Sequence, residues 1–265
     1  MTLRLAVLTL ESTATSEAAA RVLRDTPHDI VFLGLSDAYS ANVASTRKHV
    51  ARSGWRILPW LFVEFAAPRL MRGEGVGPVG VAAFARGVPP TVVTSVNGAT
   101  IQGMLATLKP DLIVTCHFDQ ILAPETIALA RLGGINLHPS LLPLHRGPMP
   151  CFWAAADGNG EFGVTVHRLV PRIDAGAILA QRAVTPPDGA TVSGMARALH
   201  RAGAELLLDV IEEIAAGRDR GVEVPTLPYR PFPTQQDLAA AAKRGVRLTG
   251  WADFRAARAL HGAVR

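Results

Sequence analysis

Short runs of aliphatic and β-branched residues alternate with segments of helical composition in the first half of the chain. Residues 3–10 and 29–35 are two such runs, and residues 12–26 between them are rich in alanine, which favours helix. The same order of strand, helix and strand returns at residues 91–116, where Pro110 separates the helix from the second strand. Strands that alternate with helices predict an α/β fold with a parallel sheet covered on both faces.

The composition is that of a globular protein kept in a reducing compartment. Of the 265 residues, 49% are hydrophobic and 18% are charged, a balance that supports a packed core. Cys116 and Cys151 are too few for a disulfide framework. The most apolar segment, residues 55–66, is interrupted by Pro59 and Glu64 and falls short of the roughly 18 apolar residues of a spanning helix. We therefore expect a cytoplasmic protein without a membrane span.

The positive charge of the chain is not organised as in nucleic-acid-binding proteins. The net charge is +5, but there is no long basic run, zinc-finger spacing or RNA-binding aromatic motif. The segment after the first predicted strand reads LTLESTATSE and lacks the GxGxxG of dinucleotide-binding folds, and a phosphate loop of the GxxxxGK type is also missing. Nucleic acid, NAD and ATP are therefore not the expected ligands.

Two segments depart from the alternating pattern. Residues 38–90 contain an apolar helical stretch followed by GEGVGPVG at 73–80, which we expect to be a flexible loop. The apolar face of the helical stretch indicates core packing, and a homodimer interface or an apolar wall for a substrate are the alternatives. Helical periodicity over residues 191–216 predicts a long amphipathic helix.

The chain is expected to form one catalytic domain and a short extension. Residues 1–216 contain the alternating strands and helices, whereas residues 217–265 include the proline-rich segment VPTLPYRPFP at 224–233. Thr234 and Asp237 have the spacing of a capping box, which predicts one more short helix. The extension has too few alternating apolar strands to form a barrel of its own.

A dense set of polar and backbone-restricting residues follows a short strand in the middle of the chain, where residues 134–153 read GINLHPSLLPLHRGPMPCFW. Alternate side chains of a strand share a face, so Asn136 and His138 are expected side by side, with Leu137 directed to the core. The prolines that follow restrict the backbone, which is typical of loops that hold binding residues in place.

An aspartate follows in a turn between two further strand-like runs. Asp174 lies in the segment PRIDAG at 171–176, where its carboxylate can hold a histidine ring and stabilise its charged form. An asparagine amide can donate to the oxyanion that develops when an acyl carbonyl becomes tetrahedral. Asn136, His138 and Asp174 therefore indicate acyl transfer, against the simpler interpretation of a structural Asn-x-His pair and an ordinary turn aspartate.

Other polar residues near this stretch have simpler interpretations. His117, His145 and His167 show no metal-ligand spacing such as HExxH, so no metal site is expected. Cys151 lies beside two aromatic residues and is expected to be a buried apolar side chain, with an acyl-accepting nucleophile as the alternative. Arg146 has two interpretations, binding of an anionic group or bracing of the loop.

Three segments in this order resemble the formyltransferase family that uses 10-formyltetrahydrofolate. They are PDLIVTCHFDQILAPETI, GINLHPSLLPLHRGPMPCFWA and GVTVHRLVPRIDAGAIL, all within residues 110–184, and a weaker similarity extends over residues 3–216. The resemblance implies an α/β fold with a Rossmann-like, mostly parallel sheet, helices on both faces and a small C-terminal tail. It also implies that Asn136, His138 and Asp174 are the catalytic residues.

The resemblance further implies where the formyl donor binds. The family's folate pocket corresponds to residues 117–124 and 170–176. The residues expected to contact 10-formyltetrahydrofolate are His117, Phe118, Gln120, Ile121, Leu122, Ile173 and Gly176.

The acceptor is expected to be the amine of a small molecule. Family members that act on initiator tRNA carry an additional carboxyl-terminal barrel domain, whereas here a proline-rich extension follows the last long helix. Residues 38–90 match neither these enzymes nor those of the purine pathway, so acceptor contacts are expected from that region. Hydrolysis of the same cofactor, with water as acceptor, and a folate-type binding module without turnover are the alternatives.

Overall fold

In the computed structural model, which describes residues 1–36, 43–72 and 76–260 and only the backbone of residues 43–46, seven strands form one sheet. The strands are β1 (Arg4–Thr9), β2 (Asp29–Ser36), β3 (Thr91–Val93), β4 (Leu112–Cys116), β5 (Gly134–His138), β6 (Gly163–Arg168) and β7 (Ile178–Ala183). Their order is β3-β2-β1-β4-β5-β6-β7. Strands β1 to β5 pair in parallel, whereas β6 is antiparallel to both β5 and β7. The predicted α/β fold with a mostly parallel sheet is confirmed.

Helices connect the strands from β1 to β6, whereas a turn joins β6 to β7, and further helices follow β7. They are α1 (Ser16–Asp25), α2 (Val43–Ser53), α3 (Leu58–Leu61), α4 (Ala67–Arg72), α5 (Pro78–Ala85), α6 (Ala99–Leu108), α7 (Pro124–Ile127), α8 (Pro150–Asp157), α9 (Val192–Ala215), α10 (Gln235–Lys243) and α11 (Trp251–Ala259). A 3₁₀ turn at Trp55–Ile57 precedes α3, and a π-helical turn at Phe62–Ala66 joins α3 to α4. None of the described helices is long and apolar enough to cross a membrane.

The core forms two layers, one on each face of the sheet. Alternate residues of β1 belong to different layers, Leu5 and Val7 to the larger one and Ala6 and Leu8 to the smaller one. Apolar side chains of α1, α5 and α9 complete the larger layer, and those of α6 and α7 complete the smaller layer. Helices therefore cover both faces of the sheet, as predicted.

The long helix predicted at residues 191–216 is α9. Its N-cap, Thr191, accepts a hydrogen bond from the Gly194 N–H at 3.0 Å, which satisfies one of the free donors of the first turn. Its apolar side is buried in the larger core layer. The predicted capping box of Thr234 and Asp237 is also present, at the beginning of α10.

The prediction of a flexible loop at residues 73–80 is wrong in its last part. Gly77 is the N-cap of α5 and Pro78 occupies its first turn, a position that proline favours because its missing N–H has no partner there. Residues 73–75 lie outside the described residues. The strand expected over residues 91–96 is shorter and ends at Val93.

The described part of residues 38–90 forms α2 to α5 with the two intervening turns. Ile57, Trp60 and Phe65 are buried in the larger core layer, so the apolar face of this segment serves core packing, as predicted. Residues 38–42 lie outside the described part of the chain.

The described part of the predicted extension, residues 217–260, folds back onto the rest of the chain. Trp153 Nε1 donates to the Pro231 carbonyl at 3.0 Å, and the Ser193 N–H donates to the Leu248 carbonyl at 3.1 Å. Helix α11 packs against α4 and α9. The domain boundary at residue 216 stays a prediction.

Candidate active site

A cavity of about 820 Å³ lies at the carboxyl ends of three neighbouring strands. Leu10 follows β1, His117 follows β4 and His138 ends β5, and all three line the cavity. Ligands of open α/β sheets bind at this edge, where loops diverge from the ends of parallel strands. The cavity is therefore the candidate active site.

The structure brings the three predicted catalytic residues to this cavity. Asn136 and His138 alternate with Leu137 along β5 and both line the cavity, while Leu137 packs in the larger core layer. Asp174 approaches from the turn between β6 and β7, and its Oδ1 lies 3.5 Å from His138 Nδ1. An amide, an imidazole and a carboxylate thus meet at one place.

The backbone around Asp174 is held in an uncommon conformation. Asp174 has a φ of +46°, in the left-handed region. The Gly147 N–H donates to Asp174 Oδ2 at 2.9 Å, and Arg146 Nε donates to the Asp174 carbonyl at 3.0 Å. Arg146 also donates to the Ile173 carbonyl and, from Nη1, to the Leu227 carbonyl at 2.6 Å. Of its two predicted roles, the structure shows Arg146 bracing the turn.

The site holds an ionised carboxylate beside a neutral imidazole at neutral pH. Burial raises the pKa of Asp174, but the imidazoles of His138 and His167 and the Gly147 N–H together lower that pKa to about 2. Burial lowers the pKa of His138, although the charge of Asp174 acts in the opposite direction. These are the protonation states that an orienting group and a general base require.

Replacing Asp174 with asparagine is expected to lower the pKa of His138 further. The substitution keeps the shape of the side chain but removes the anion that favours the imidazolium. Titration of the His138 ring by NMR would measure the change. Asp25→Asn is the control, because Asp25 is exposed at the end of α1, and this variant should leave the pKa of His138 unchanged. A His138 pKa that is unchanged or raised in Asp174→Asn would contradict the coupling of the two residues.

Sequence reasoning missed His167 and Thr115 as parts of this site. His167 Nδ1 lies 2.9 Å from the Arg168 carbonyl, and its Nε2 lies 3.7 Å from Asp174 Oδ1. Asn136 Nδ2 lies 3.1 Å from that Nε2, and Thr115 Oγ1 donates to Asn136 Oδ1 at 2.7 Å. The Thr115 hydroxyl thereby orients the amide of Asn136, which lines the cavity.

Gly147 is the point where the Asp174 turn meets the extension. Its φ is +125°, and a Cβ built on it would lie 2.1 Å from the Arg230 carbonyl oxygen. A strained backbone conformation alone costs about 1–3 kcal/mol. Gly147→Ala is expected to lower the free energy of unfolding by more than this, because the added methyl group also meets the Arg230 carbonyl.

Denaturant unfolding would measure this effect. Gly217→Ala is the matched control, because Gly217 also has a positive φ of +66° but no heavy atom within 4 Å of a built Cβ. Equal losses in the two variants would contradict a steric role for Gly147.

The predicted folate contacts occupy different positions around the cavity. Phe118 and Leu122 pack on the smaller core layer, and Ile121 is 54% exposed. The Gln120 amide is engaged with backbone: Nε2 donates to the Val93 carbonyl at 3.0 Å, and Oε1 accepts from the Val96 N–H at 2.7 Å. Gln120 therefore joins the loop after β4 to the loop after β3.

His117, Ile173 and Gly176 complete the predicted folate set. Ile173 lines the cavity beside Asp174, whereas Gly176 packs against the Arg168 backbone and is not among the lining residues. His117 lines the cavity on the side of the larger core layer, where it stacks on Phe65 at a ring separation of 6.2 Å.

Cys151 has the properties predicted for a buried small side chain. It is 3% exposed, and burial raises the pKa of its thiol to about 12, so the reactive thiolate is disfavoured. Across the described residues, no group of three or more His, Cys, Asp or Glu side chains is arranged to hold a metal ion.

Comparison with known proteins places the chain in a family. The family model described as formyl transferase matches residues 78–211. The methionyl-tRNA formyltransferase of Roseiflexus sp. (strain RS-1) is 34% identical over 191 residues, which cover 72% of this chain and 58% of that protein. The methionyl-tRNA formyltransferase of Roseiflexus castenholzii is 39% identical over 140 residues, 53% of this chain and 45% of that protein. The chain thus spans about half the length of the curated relatives it matches.

Solved structures share the fold. Phosphoribosylglycinamide formyltransferase from Anaplasma phagocytophilum matches with a TM-score of 0.59 and 20% identity, over 86% of this chain and 98% of that one. Glycinamide ribonucleotide transformylase 1 from Symbiobacterium toebii matches with a TM-score of 0.58 and 18% identity, over 84% and 95% of the two chains. With the family match over half of its length, this chain belongs to the formyl transferase family.

Proposed function

We propose that this protein transfers a formyl group from 10-formyltetrahydrofolate to the amine of a small-molecule acceptor. The observation that carries the proposal is the meeting of Asn136, His138 and Asp174 in one cavity, with an ionised carboxylate 3.5 Å from a neutral imidazole. An amide donor and an oriented base are the groups that acyl transfer to an amine requires.

Each of these residues has a distinct role in the proposed reaction. As the acceptor nitrogen attacks the formyl carbon, His138 takes the proton that the nitrogen loses. Asn136 donates an amide N–H to the oxygen that becomes negative in the tetrahedral intermediate. His138 then returns the proton to the leaving folate nitrogen as the carbon–nitrogen bond breaks. Asp174 holds the ring and stabilises its charged form throughout.

Two parts of the cavity flank these residues, as two substrates require. We define the donor lobe as Phe118, Ile121, Leu122, Val170 and Ile173, which line the cavity. Its apolar side chains suit a flat ring system placed between the loop after β4 and the Asp174 turn, and Phe118, Ile121, Leu122 and Ile173 are among the expected folate contacts.

The acceptor lobe is defined by Glu64, Phe65, His117 and His200, which line the same cavity. Phe65 and the neighbours of His200 belong to the larger core layer, whereas Phe118 and Leu122 of the donor lobe pack on the smaller one. The two lobes therefore lie toward opposite faces of the sheet, and the catalytic residues end the strand between them. Phe65 belongs to the region from which acceptor contacts are expected.

Residues of the C-terminal extension line the cavity and support the proposal of a small acceptor. Tyr229, Pro231 and Phe232 line the cavity, and Arg52 of α2 donates to the Phe232 carbonyl. These residues form one wall of the cavity that contains the catalytic residues, which favours an acceptor small enough to fit inside that cavity. Methionyl-tRNA is the second candidate, because the relatives reported above are named methionyl-tRNA formyltransferases.

A direct assay separates these acceptors. The protein is incubated with 10-formyltetrahydrofolate and a library of small amines, methionyl-tRNA or buffer alone, and tetrahydrofolate release and the mass of the products are measured. We expect release only with small amines, each product gaining one formyl group. Comparable formylation of methionyl-tRNA would overturn the small-acceptor proposal, and release in buffer alone would identify a hydrolase.

Tetrahydrofolate is expected to raise the melting temperature of the protein, whereas NAD and ATP are not. A ligand that binds only the folded state stabilises that state by mass action. The donor lobe is apolar, whereas phosphate-binding sites are rich in backbone N–H donors. Thermal unfolding with each ligand would measure the shift. A shift with NAD and none with tetrahydrofolate would contradict the proposed donor.

A further inference from the structure

A half-buried imidazole, His117, and a buried one, His200, lie next to each other in the acceptor lobe. The rings of His117 and His200 are 5.9 Å apart between centroids and inclined by 61°. His117 follows β4 and His200 lies in α9, and both line the cavity that contains His138. The mechanism proposed above uses neither of them.

Hydrogen bonds to the protein fix the tautomer of each ring. His200 Nδ1 lies 2.7 Å from the Ala196 carbonyl, which only accepts, so Nδ1 carries a proton. Thr15 Oγ1 donates its own hydrogen to the Leu10 carbonyl at 3.0 Å and lies 3.3 Å from His117 Nδ1. Because Thr15 has a single hydroxyl hydrogen, we assign the proton of this contact to His117 Nδ1.

Both rings are neutral, so both Nε2 atoms carry lone pairs. Burial lowers the pKa of His200 to about 3 and also lowers the pKa of His117. His200 is 3% exposed, and its Nε2 has no hydrogen-bond partner among the described residues. A buried acceptor without a donor costs stability, and a ligand that supplies a hydrogen removes that cost.

We propose that His117 and His200 are a specificity-determining pair, whose two Nε2 atoms accept hydrogen bonds from hydroxyl groups adjacent to the reactive amine of the acceptor. The inference rests on the proposed function and names its substrate class: an amine that carries neighbouring hydroxyls. Neutral acceptor nitrogens on two rings whose centroids are 5.9 Å apart favour O–H donors, and they repel carboxylate or phosphate oxygens, which bring only lone pairs.

The test uses two amines with the same carbon skeleton. They are 2-amino-1,3-propanediol, with two hydroxyls, and isopropylamine, with none. For the wild type, His117→Phe and His200→Phe, the ratio of kcat/KM for the diol to that for isopropylamine is measured with saturating 10-formyltetrahydrofolate. Comparing this ratio between proteins cancels the different basicities of the two amines. We expect it to fall about tenfold in each variant, the effect of one lost hydrogen bond.

A conservative variant and a binding measurement complete the design. His200→Gln keeps an acceptor oxygen near the position of Nε2 and is expected to recover part of the ratio, which a purely structural role of the ring would not produce. In the presence of tetrahydrofolate, the diol is expected to raise the melting temperature of the wild type more than isopropylamine does. This difference should disappear in both phenylalanine variants.

The outcomes separate the inference from the proposed function. Ratios and melting shifts that are equal in the wild type and the variants would overturn the histidine pair, even if amines are formylated. No formylation of any amine would overturn the proposed function, while the melting shifts would still decide whether the pair recognises hydroxyls. Stabilisation by Zn²⁺ that depends on both histidines, without any diol effect, would identify a metal-binding pair and also overturn the inference.

Discussion

His138→Ala is expected to lower kcat about 10²–10⁴-fold, because the variant loses the group that takes the proton from the acceptor amine and returns it to the leaving nitrogen. The neutral state of the ring and its position 3.5 Å from Asp174 Oδ1 suit it for both steps. Steady-state kinetics with any accepted amine would measure the loss.

Folding and donor binding provide the controls for this variant. His138 ends β5, its Nε2 lies 3.3 Å from the His145 carbonyl, and its truncation should preserve the fold and the melting shift with tetrahydrofolate. Added imidazole should restore part of the activity by entering the space left by the ring. Nearly full turnover in a folded His138→Ala protein would contradict the proposed mechanism and favour the structural interpretation of the Asn-x-His pair.

Asn136→Ala is expected to lower kcat about 10²–10³-fold, the usual effect of removing one oxyanion donor. Asn136→Asp should cost at least as much, because a carboxylate of the same shape brings negative charge to the developing oxyanion. Thr115→Val should cost less, since Thr115 only orients the amide through its 2.7 Å hydrogen bond. Measuring kcat in the three variants would establish this order.

The combined variants test whether these residues act as one unit. The losses of His138→Ala and Asn136→Ala should overlap strongly in the double variant instead of multiplying. Thr115→Val should have little further effect once Asn136 is alanine, because it has no amide left to orient. An additive effect of Thr115→Val in that background would point to a separate role for the hydroxyl.

The strands and the meeting of Asn136 with His138 were accessible from the sequence because they depend on local patterns. Period-two alternation along β5 is sufficient to place both side chains on one face. The antiparallel pairing of β6 was not accessible, since parallel and antiparallel strands have similar compositions, and the pairing depends on contacts between distant segments. The helix that begins at Pro78 was missed because the surrounding glycines dominated the local signal.

The partners that orient the site were missed for a different reason. His167 bonds to Asn136 across paired strands, and Arg146 reaches carbonyls of the Asp174 turn and of Leu227. Such contacts follow from the folded geometry and have no fixed spacing along the chain. For Gln120 the sequence position suggests a folate contact that the hydrogen bonds do not reflect. Its amide is bonded to the backbone at the end of β3 and in the loop after it.

The bond from Arg146 to the Leu227 carbonyl has a consequence for protein synthesis. When the ribosome has polymerised the chain past Asp174 but not yet to Leu227, Asn136, His138 and Asp174 are all present. The nascent chain then lacks one of the three carbonyls that hold the Arg146 guanidinium, the one outside the Asp174 turn. Catalytic competence should therefore appear late in translation, so that unfinished or proteolytically shortened chains release few formylated products.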